Sequence, residues 1–206
     1  MSLNSTKINW GIENLKTWNP IVGCKHGCKY CYAKRIAKRF KMIPEWTEPM
    51  FFEKRLADPC KWQKPATIFV GSMSDIFGEW IPDEWINKII RVTIENPQHK
   101  FMFLTKNPQR YYQFEFSKNC WLGTTLDHIK YKQRVVCLDS YKRLINKFVS
   151  IEPILSDMSG VDFTGIDLLI VGADSSMGAK SPNPEWITSL KHDNIWYKDN
   201  VKQFIT

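Results

Sequence analysis

The sequence predicts an α/β fold in which short parallel strands alternate with helices. Runs rich in β-branched and aromatic residues recur along the chain, with helix-like stretches between them. The runs are apolar on both faces, as in strands that are covered on both sides. Repeated strand–helix units favour a parallel sheet with right-handed crossovers. About six strands in 206 residues are too few for a closed eight-stranded barrel, which takes about 250 residues. An open or partial barrel therefore fits best, and a doubly wound sheet is the alternative.

The elements follow one another along the whole chain. The predicted strands are Trp18–Val22, Thr67–Gly71, Lys100–Thr105, Cys120–Thr124, Lys147–Glu152 and Asp167–Ala173, with Asn194–Tyr197 as a candidate last strand. The predicted helices are Ala33–Lys41, Pro82–Asn96, Pro108–Phe116, Tyr131–Leu144 and Pro184–Lys191. Pro, Asp and Glu open the second helix, and Pro97 ends it. No linker rich in Gly, Ser or Pro divides the chain, so residues 1–206 are predicted to form one compact domain.

The composition narrows the possible surroundings and partners. The formal net charge of +8 and the pI of about 9.1 favour a polyanionic partner such as nucleic acid, although a solvated lysine-rich surface is the alternative. No run of 18 apolar residues occurs, so no membrane span is expected. Residues 1–7 contain no apolar secretory segment, so a cytoplasmic protein is expected.

Polar residues follow most of the predicted strands. In either architecture the carboxyl ends of the strands lie at one edge, where ligands collect. The residues at these ends are therefore expected to share one rim: Cys24, Cys28, Cys31, Ser72, Ser74, Asp75, Thr105, Lys106, Thr124, Thr125, Asp127, Glu152, Asp174, Ser175, Ser176, Lys198 and Asp199.

The most informative motif is the cysteine loop. Cys24, Cys28 and Cys31 have the spacing Cys-x3-Cys-x2-Cys. Three thiolates on one tight loop can hold three irons of a cubane cluster and leave the fourth iron open, whereas clusters normally have four ligands. A zinc site completed by His26 or a distant cysteine is one alternative. A redox or structural group of thiols is another.

The loop and the strand-end motifs resemble a known superfamily. The cysteine spacing, with aromatic Tyr30 before the third cysteine, is similar to the signature of radical S-adenosylmethionine (SAM) enzymes. Further motifs resemble a phage and bacterial branch of radical-SAM-like proteins of unsettled function. These motifs lie at residues 17–20, 23–24, 31–33, 69–75, 97–99, 104–106, 121–123, 150–153 and 171–175. The resemblance covers roughly residues 17–199 and implies a partial (β/α)6 barrel of the radical SAM type.

The resemblance also implies roles for individual residues. The three cysteines would hold a [4Fe-4S] cluster, and SAM would bind the fourth iron. Tyr30 would pack on the adenine, unless it is a core aromatic. Ser72, Ser74 and Asp75 resemble the element that binds the amino group of SAM. Thr124, Thr125 and Asp127 would reach its ribose hydroxyls or carboxylate, and Glu152 would contact the ribose or the substrate. For residues 72–75 a helix N-cap is the alternative, and for Glu152 a solvated charge. Lys106, Asp174 and Lys198 are the candidates for contacts with the substrate. Alternatively, a lysine and an aspartate among them could simply pair with each other and have only a structural role.

Three functions compete at this level. The first is a radical SAM enzyme that takes its electron from an external flavodoxin- or ferredoxin-like donor and acts on a nucleic acid or nucleotide. The second is a non-catalytic zinc or iron–sulfur module that binds nucleic acid. The third is a ferredoxin-like electron carrier, which would need a fourth cysteine ligand. The remaining cysteines are scattered, and Cys120 and Cys137 are expected to be buried thiols, while Cys60 has no assigned role.

Overall fold

Ten strands and five helices make up the regular structure of the computed structural model, which describes residues 4–6, 8–141 and 144–205. The strands are β1 (Asn4–Ser5), β2 (Leu15–Trp18), β3 (Ile21–Val22), β4 (Met50–Phe51), β5 (Thr67–Val70), β6 (Lys100–Thr105), β7 (Cys120–Thr125), β8 (Asn146–Ile151), β9 (Leu168–Val171) and β10 (Ile195–Tyr197). The α-helices are α1 (Tyr32–Arg39), α2 (Asp83–Glu95), α3 (Gln133–Asp139), α4 (Pro184–Thr188) and α5 (Asp199–Lys202). Short 3-10 helices cover Glu53–Ala57, Pro59–Lys61, Pro108–Gln113 and Ile129–Tyr131.

Seven parallel strands form the main sheet in the order β2-β5-β6-β7-β8-β9-β10, and β1 pairs antiparallel with β2 at one edge. Because the spatial order follows the chain order, each crossover adds the next strand on the same side, and the sheet curls into a half-barrel. The predicted α/β class and partial barrel are confirmed, with one parallel strand more than the six of the (β/α)6 expectation.

Side chains alternate between the two faces of this sheet. The outer face packs against the helices in a large apolar core that includes Phe101, Phe103 and Val149. The inner face carries a second, smaller core with Trp10, Phe69, Met102 and Phe148. Because both faces are apolar, the strands show no polar alternation in the sequence.

The inner core closes the lower end of the half-barrel. The Trp10 ring centroid lies 4.4 Å from that of Phe69 and 5.7 Å from that of Phe148. Gly123 faces this core, and a Cβ atom there would come within 2.4 Å of the Phe148 ring. The half-barrel cavity extends from this core towards the carboxyl ends of the strands, where Leu104 and Ser150 line it.

Several predicted boundaries are wrong. The first parallel strand ends at Trp18, since Pro20 has no N–H to donate to a ladder, and Ile21–Val22 pairs antiparallel with β4 instead. The predicted helix Pro108–Phe116 is a 3-10 helix. The predicted helix Tyr131–Leu144 is the shorter α3, and residues 142–143 of it lie outside the described part. The predicted helix Pro184–Lys191 ends at Thr188.

No helix among the described residues combines the length and the apolar character that a bilayer crossing needs.

Candidate active site

The cysteine loop runs from β3 to α1 over the carboxyl end of the sheet. Gly23 has a φ of 114°, and a Cβ atom there would lie 2.8 Å from the Cα of Pro49, so glycine is required. The Gly23 N–H donates to the Met73 carbonyl (3.0 Å), and the Ser74 hydroxyl donates to the Gly23 carbonyl (2.7 Å). The Cys24 N–H donates to the Trp46 carbonyl (2.9 Å). The segment after β5 thus holds the start of the loop in place.

The three cysteines border one small pocket. Cys24, Cys28 and Cys31 all line a pocket of about 150 Å³. Cys28 and Cys31 also line a cavity of about 750 Å³ inside the half-barrel. The pocket and the cavity share walls formed by Tyr32, Phe69, Ser72, Leu104, Lys106 and Thr125. The small pocket therefore lies directly beside the large cavity.

The thiols are free and partly buried. Burial raises the pKa of Cys24 to about 12 and also raises the pKa of Cys31. The Cys31 sulfur caps α1 by accepting from the Lys34 N–H at 3.3 Å. Metal binding would have to displace the thiol protons, since thiolates are the ligating form.

A buried ion pair ties the loop to two strand ends. The Lys106 ammonium lies 2.6 Å from an Asp127 carboxylate oxygen and 2.6 Å from the Tyr30 hydroxyl oxygen, and the Tyr30 hydroxyl donates to the same carboxylate. Arg134 contacts the other Asp127 oxygen at 3.4 Å. Burial and the Asp127 carboxylate raise the pKa of Tyr30, which therefore stays protonated. Burial acts to raise the pKa of Asp127, but the charge and hydrogen bond of Lys106 and the Tyr30 hydrogen bond outweigh it and lower that pKa.

Asp75 is a second carboxylate that connects several elements of the site by hydrogen bonds. One of its oxygens accepts from the Thr105 hydroxyl (2.6 Å) and the Phe77 N–H (3.1 Å). The other accepts from the Lys106 N–H (2.9 Å) and lies 2.6 Å from His26 Nε2. Asp75 thus joins the ends of β5 and β6 and fixes His26 of the cysteine loop.

A second ion pair stands in the cavity wall. Glu152 follows β8, Lys198 follows β10, and the two side chains pair with each other. Gly172 lies between them, and a Cβ atom there would come within 2.9 Å of Lys198 Cδ and 3.3 Å of Glu152. Asp174 also lines the cavity and accepts from the Ser176 N–H at 2.8 Å. Within the described residues Asp174 has no ion-pair partner.

A family model described as "Protein of unknown function (DUF5131)" matches residues 5–202. The chain belongs to this family. No curated protein matches the DUF5131 chain with significant sequence similarity.

Solved structures of spore photoproduct lyase share the fold of the DUF5131 chain. A mutant with dinucleoside spore photoproduct matches with a TM-score of 0.59 and 12% identity, over 84% of this chain and 59% of that one. A double mutant with bound AdoMet (SAM) and dinucleoside spore photoproduct matches with a TM-score of 0.59 and 11% identity, over 84% and 59% of the two chains. The DUF5131 chain therefore spans less than two thirds of the length of these lyase chains. The shared fold is the partial barrel of radical SAM proteins.

The structure brings most of the predicted site residues to one rim. The large cavity is lined by Cys28, Tyr30, Cys31, Ser72, Lys106, Thr125, Glu152, Asp174, Ser175 and Lys198. Cys24, Ser74, Asp75 and Thr105 line the small pocket. Asp127 contacts Tyr30 and Ser176 contacts Asp174, and both partners belong to the cavity wall. No helix begins directly after residues 72–75, so they are not a helix N-cap.

Thr124 lies elsewhere. Its side chain is fully buried and donates to the Thr105 carbonyl at 2.9 Å, and only its neighbour Thr125 lines the cavity. The remaining cysteines line neither space: Cys120 is buried as predicted, Cys137 is half-buried and Cys60 is exposed.

Asn19 is the residue that sequence reasoning missed. Its side-chain oxygen accepts from the Ser72 hydroxyl and the Met73 N–H, both at 3.0 Å, and it lines the cavity. A polar residue directly after the first strand was the available signal. The misplaced end of that strand, four residues too late, concealed it.

Proposed function

We propose that this DUF5131 protein is a radical SAM enzyme that holds a [4Fe-4S] cluster through Cys24, Cys28 and Cys31 and binds SAM at the fourth iron. One observation carries the proposal. The three cysteines border one small pocket, and two of them, Cys28 and Cys31, also line the half-barrel cavity beside it. A cluster held by the three cysteines would therefore lie beside a cavity that could hold SAM, and the iron without a cysteine ligand would be free to bind it.

The donor set fits a cluster better than a single zinc ion. His26 lines the same pocket as the cysteines and is a candidate fourth ligand, but its Nε2 atom is engaged with Asp75. Among the described residues, no three Cys, His, Asp or Glu side chains converge on one metal position. Thiolates that each bind a different iron need not converge in this way.

The bound cofactors would supply the difficult chemistry, a one-electron reductive cleavage of SAM to methionine and a 5′-deoxyadenosyl radical that could take a hydrogen atom from the substrate. The protein's residues bind and orient. Tyr30, held by Lys106 and Asp127, offers a fixed aromatic face beside the cysteines. Glu152 and Thr125 offer acceptors for ribose hydroxyls or the SAM ammonium. Ser72, Ser74 and Asp75 act mainly by holding the loop and the strand ends around it.

Lys106, Asp174 and Lys198 line the cavity and are the residues that we assign to substrate binding. We propose a substrate that contains a nucleotide, delivered to a cavity whose walls carry charges of both signs. The net charge of +8 supports this, and the lyases of similar fold bind a dinucleoside. The electron would come from an external flavodoxin- or ferredoxin-like protein, since the described residues offer ligands for one cluster only.

The test is anaerobic reconstitution followed by reduction in the presence of SAM. We expect about four irons per chain and formation of 5′-deoxyadenosine. Alanine at Cys24, Cys28 or Cys31 should abolish both, whereas Cys60→Ala, which removes an exposed thiol outside both spaces, should change neither.

Three results would contradict the proposal. A fully loaded protein that forms no 5′-deoxyadenosine would exclude this activity. Zinc in place of iron would favour the nucleic-acid-binding module, and a cluster spectrum that does not change on addition of SAM would favour the electron carrier.

A further inference from the structure

The positive charge of this chain is concentrated in one short segment. Residues 24–44 contain seven Lys or Arg and no Asp or Glu. The rest of the chain has 22 Lys or Arg against 21 Asp or Glu. Nearly all of the net charge of +8 therefore belongs to the cysteine loop and α1.

These seven cations face solvent and are not neutralised. All of them are exposed: Lys25, Lys29, Lys34, Arg35, Lys38, Arg39 and Lys41. None forms an ion pair within 4 Å with a carboxylate of the described residues. Free surface cations at this density favour a multivalent anion over a single charged group.

The two sides of α1 differ in chemistry. Successive helical residues are separated by about 100°, so Lys34 and Lys38 lie on one side of α1. Arg35 and Arg39 lie on another, next to a strip that carries Ile36 and Phe40. Of these residues Ile36 lines the large cavity, and Phe40 is 67% exposed. The side nearer the cavity thus combines arginines with an exposed aromatic ring.

This arginine–aromatic side reaches the mouth of the cavity. The Arg35 guanidinium donates to the Ser176 hydroxyl at 3.1 Å, across the rim from α1, and the adjacent Ser175 lines the cavity. Arg39 lies one helical turn farther out, about 6 Å along the axis. The Arg39 guanidinium lies 5.6 Å from the Phe40 ring centroid. A ligand that enters the cavity can therefore continue outward along α1.

We infer that α1 and the cysteine loop bind the backbone of a single-stranded nucleic acid, of which one nucleotide enters the half-barrel cavity. Arginines suit phosphates because the guanidinium makes paired hydrogen bonds. An exposed aromatic ring can stack on an unpaired base but not on a base inside a duplex. An acidic protein could bind the same cations, but a folded protein would not follow the arginine–aromatic side into the cavity as a single strand can, so a nucleic acid fits this surface better. The inference rests on the proposed function in one respect only, namely that the cavity receives the nucleotide that reacts.

Binding of a fluorescein-labelled 15-residue oligothymidylate to the reconstituted full chain tests this, by anisotropy between 50 and 200 mM salt. Arg35→Gln/Arg39→Gln should lower the slope of log affinity against log salt by about 1.4, at about 0.7 for each lost phosphate contact. Phe40→Ala should weaken binding at least about fivefold with the slope unchanged, because it removes stacking and no charge.

Lys64→Gln/Lys118→Gln is the matched control. It also removes two exposed cations, which lie before β5 and β7 at the opposite end of the sheet, and it should change neither slope nor affinity by more than about twofold.

Equal losses in the arginine and control variants would overturn the inference, as would tighter binding of a duplex than of the single strand. Absence of oligonucleotide binding at 50 mM salt would also overturn it, and arginine-dependent binding of an acidic flavodoxin would then reassign the surface to a redox partner. The readout does not depend on SAM cleavage. A protein that binds the oligonucleotide as expected but forms no 5′-deoxyadenosine would refute the proposed function and leave this surface standing.

Discussion

The ammonium of Lys106 lies 2.6 Å from the hydroxyl oxygen of Tyr30, although 76 residues separate them in the chain. Lys106 directly follows β6, and Tyr30 stands between two cysteines of the loop. The contact therefore joins the cysteine loop to the sheet. Asp127 completes it by binding both partners, so one carboxylate holds the charge of Lys106 and the orientation of Tyr30.

Asp127→Asn should destabilise the protein strongly. Lys106 and Asp127 are 13% and 9% exposed, and removal of one partner leaves the other charge buried, which costs about 3 kcal/mol or more. Urea unfolding measures this loss. Lys88→Met is the control, because Lys88 pairs with Glu53 and Glu84 at the surface, where such pairs contribute about 1 kcal/mol or less. Equal losses of unfolding free energy in the two variants would refute a stabilising buried ion pair between Lys106 and Asp127.

The advantage of the wild type over Asp127→Asn should depend on pH. The folded-state pKa of Asp127 is lowered, because the charge and hydrogen bonds of Lys106 and Tyr30 outweigh burial. A carboxyl group whose pKa is lowered on folding stabilises the folded protein. This stabilisation is complete at a pH above the unfolded-state pKa of about 3.9 and is lost as the pH falls through the folded-state pKa. The difference in unfolding free energy should therefore narrow from about pH 5 to about pH 3. A difference that stays constant over this range would show that Asp127 acts through packing alone.

Gly123→Ala should disturb the floor of the half-barrel. A Cβ atom would come within 2.4 Å of the Phe148 ring, and overpacking of this kind costs about 1–3 kcal/mol. Gly160→Ala is the matched control, since no atom lies within 4 Å of a Cβ at that position. Thermal unfolding should show a lower melting temperature for the first variant and little change for the second. An unchanged melting temperature for Gly123→Ala would mean that the inner core is loosely packed.

Glu152→Gln should weaken SAM binding more than Lys198→Met does. The Glu152 carboxylate lines the cavity. Burial and, second, the negative charge of Glu152 raise the pKa of Tyr32, which directly follows the last cysteine, so the carboxylate lies near the cysteine loop. Loss of a charged acceptor for ribose hydroxyls should raise the Kd for SAM about tenfold, against less than about threefold for Lys198→Met. Equilibrium dialysis with the reconstituted protein measures both. If only turnover of the substrate changes, Glu152 belongs to the substrate side of the cavity.

The sequence and the tertiary structure account for different features of the site. Because parallel strands end at a common edge, the sequence alone predicts that Ser72, Thr125 and Glu152 lie on one rim. It could not distinguish Thr124 from Thr125. Both faces of the sheet are apolar, so the sequence carries no alternation that marks the side facing the cavity.

The alternation of strands and helices, the cysteine loop and the set of polar residues at the strand ends can all be predicted from the sequence. These depend on short-range patterns of hydrophobicity, turn residues and spacing. The tertiary structure alone decided that Lys106 pairs with Asp127, that Lys198 pairs with Glu152 and that Asp75 is used to join two strand ends to His26. These partners lie far apart in the chain, and only the register and curl of the sheet bring their side chains within hydrogen-bond distance.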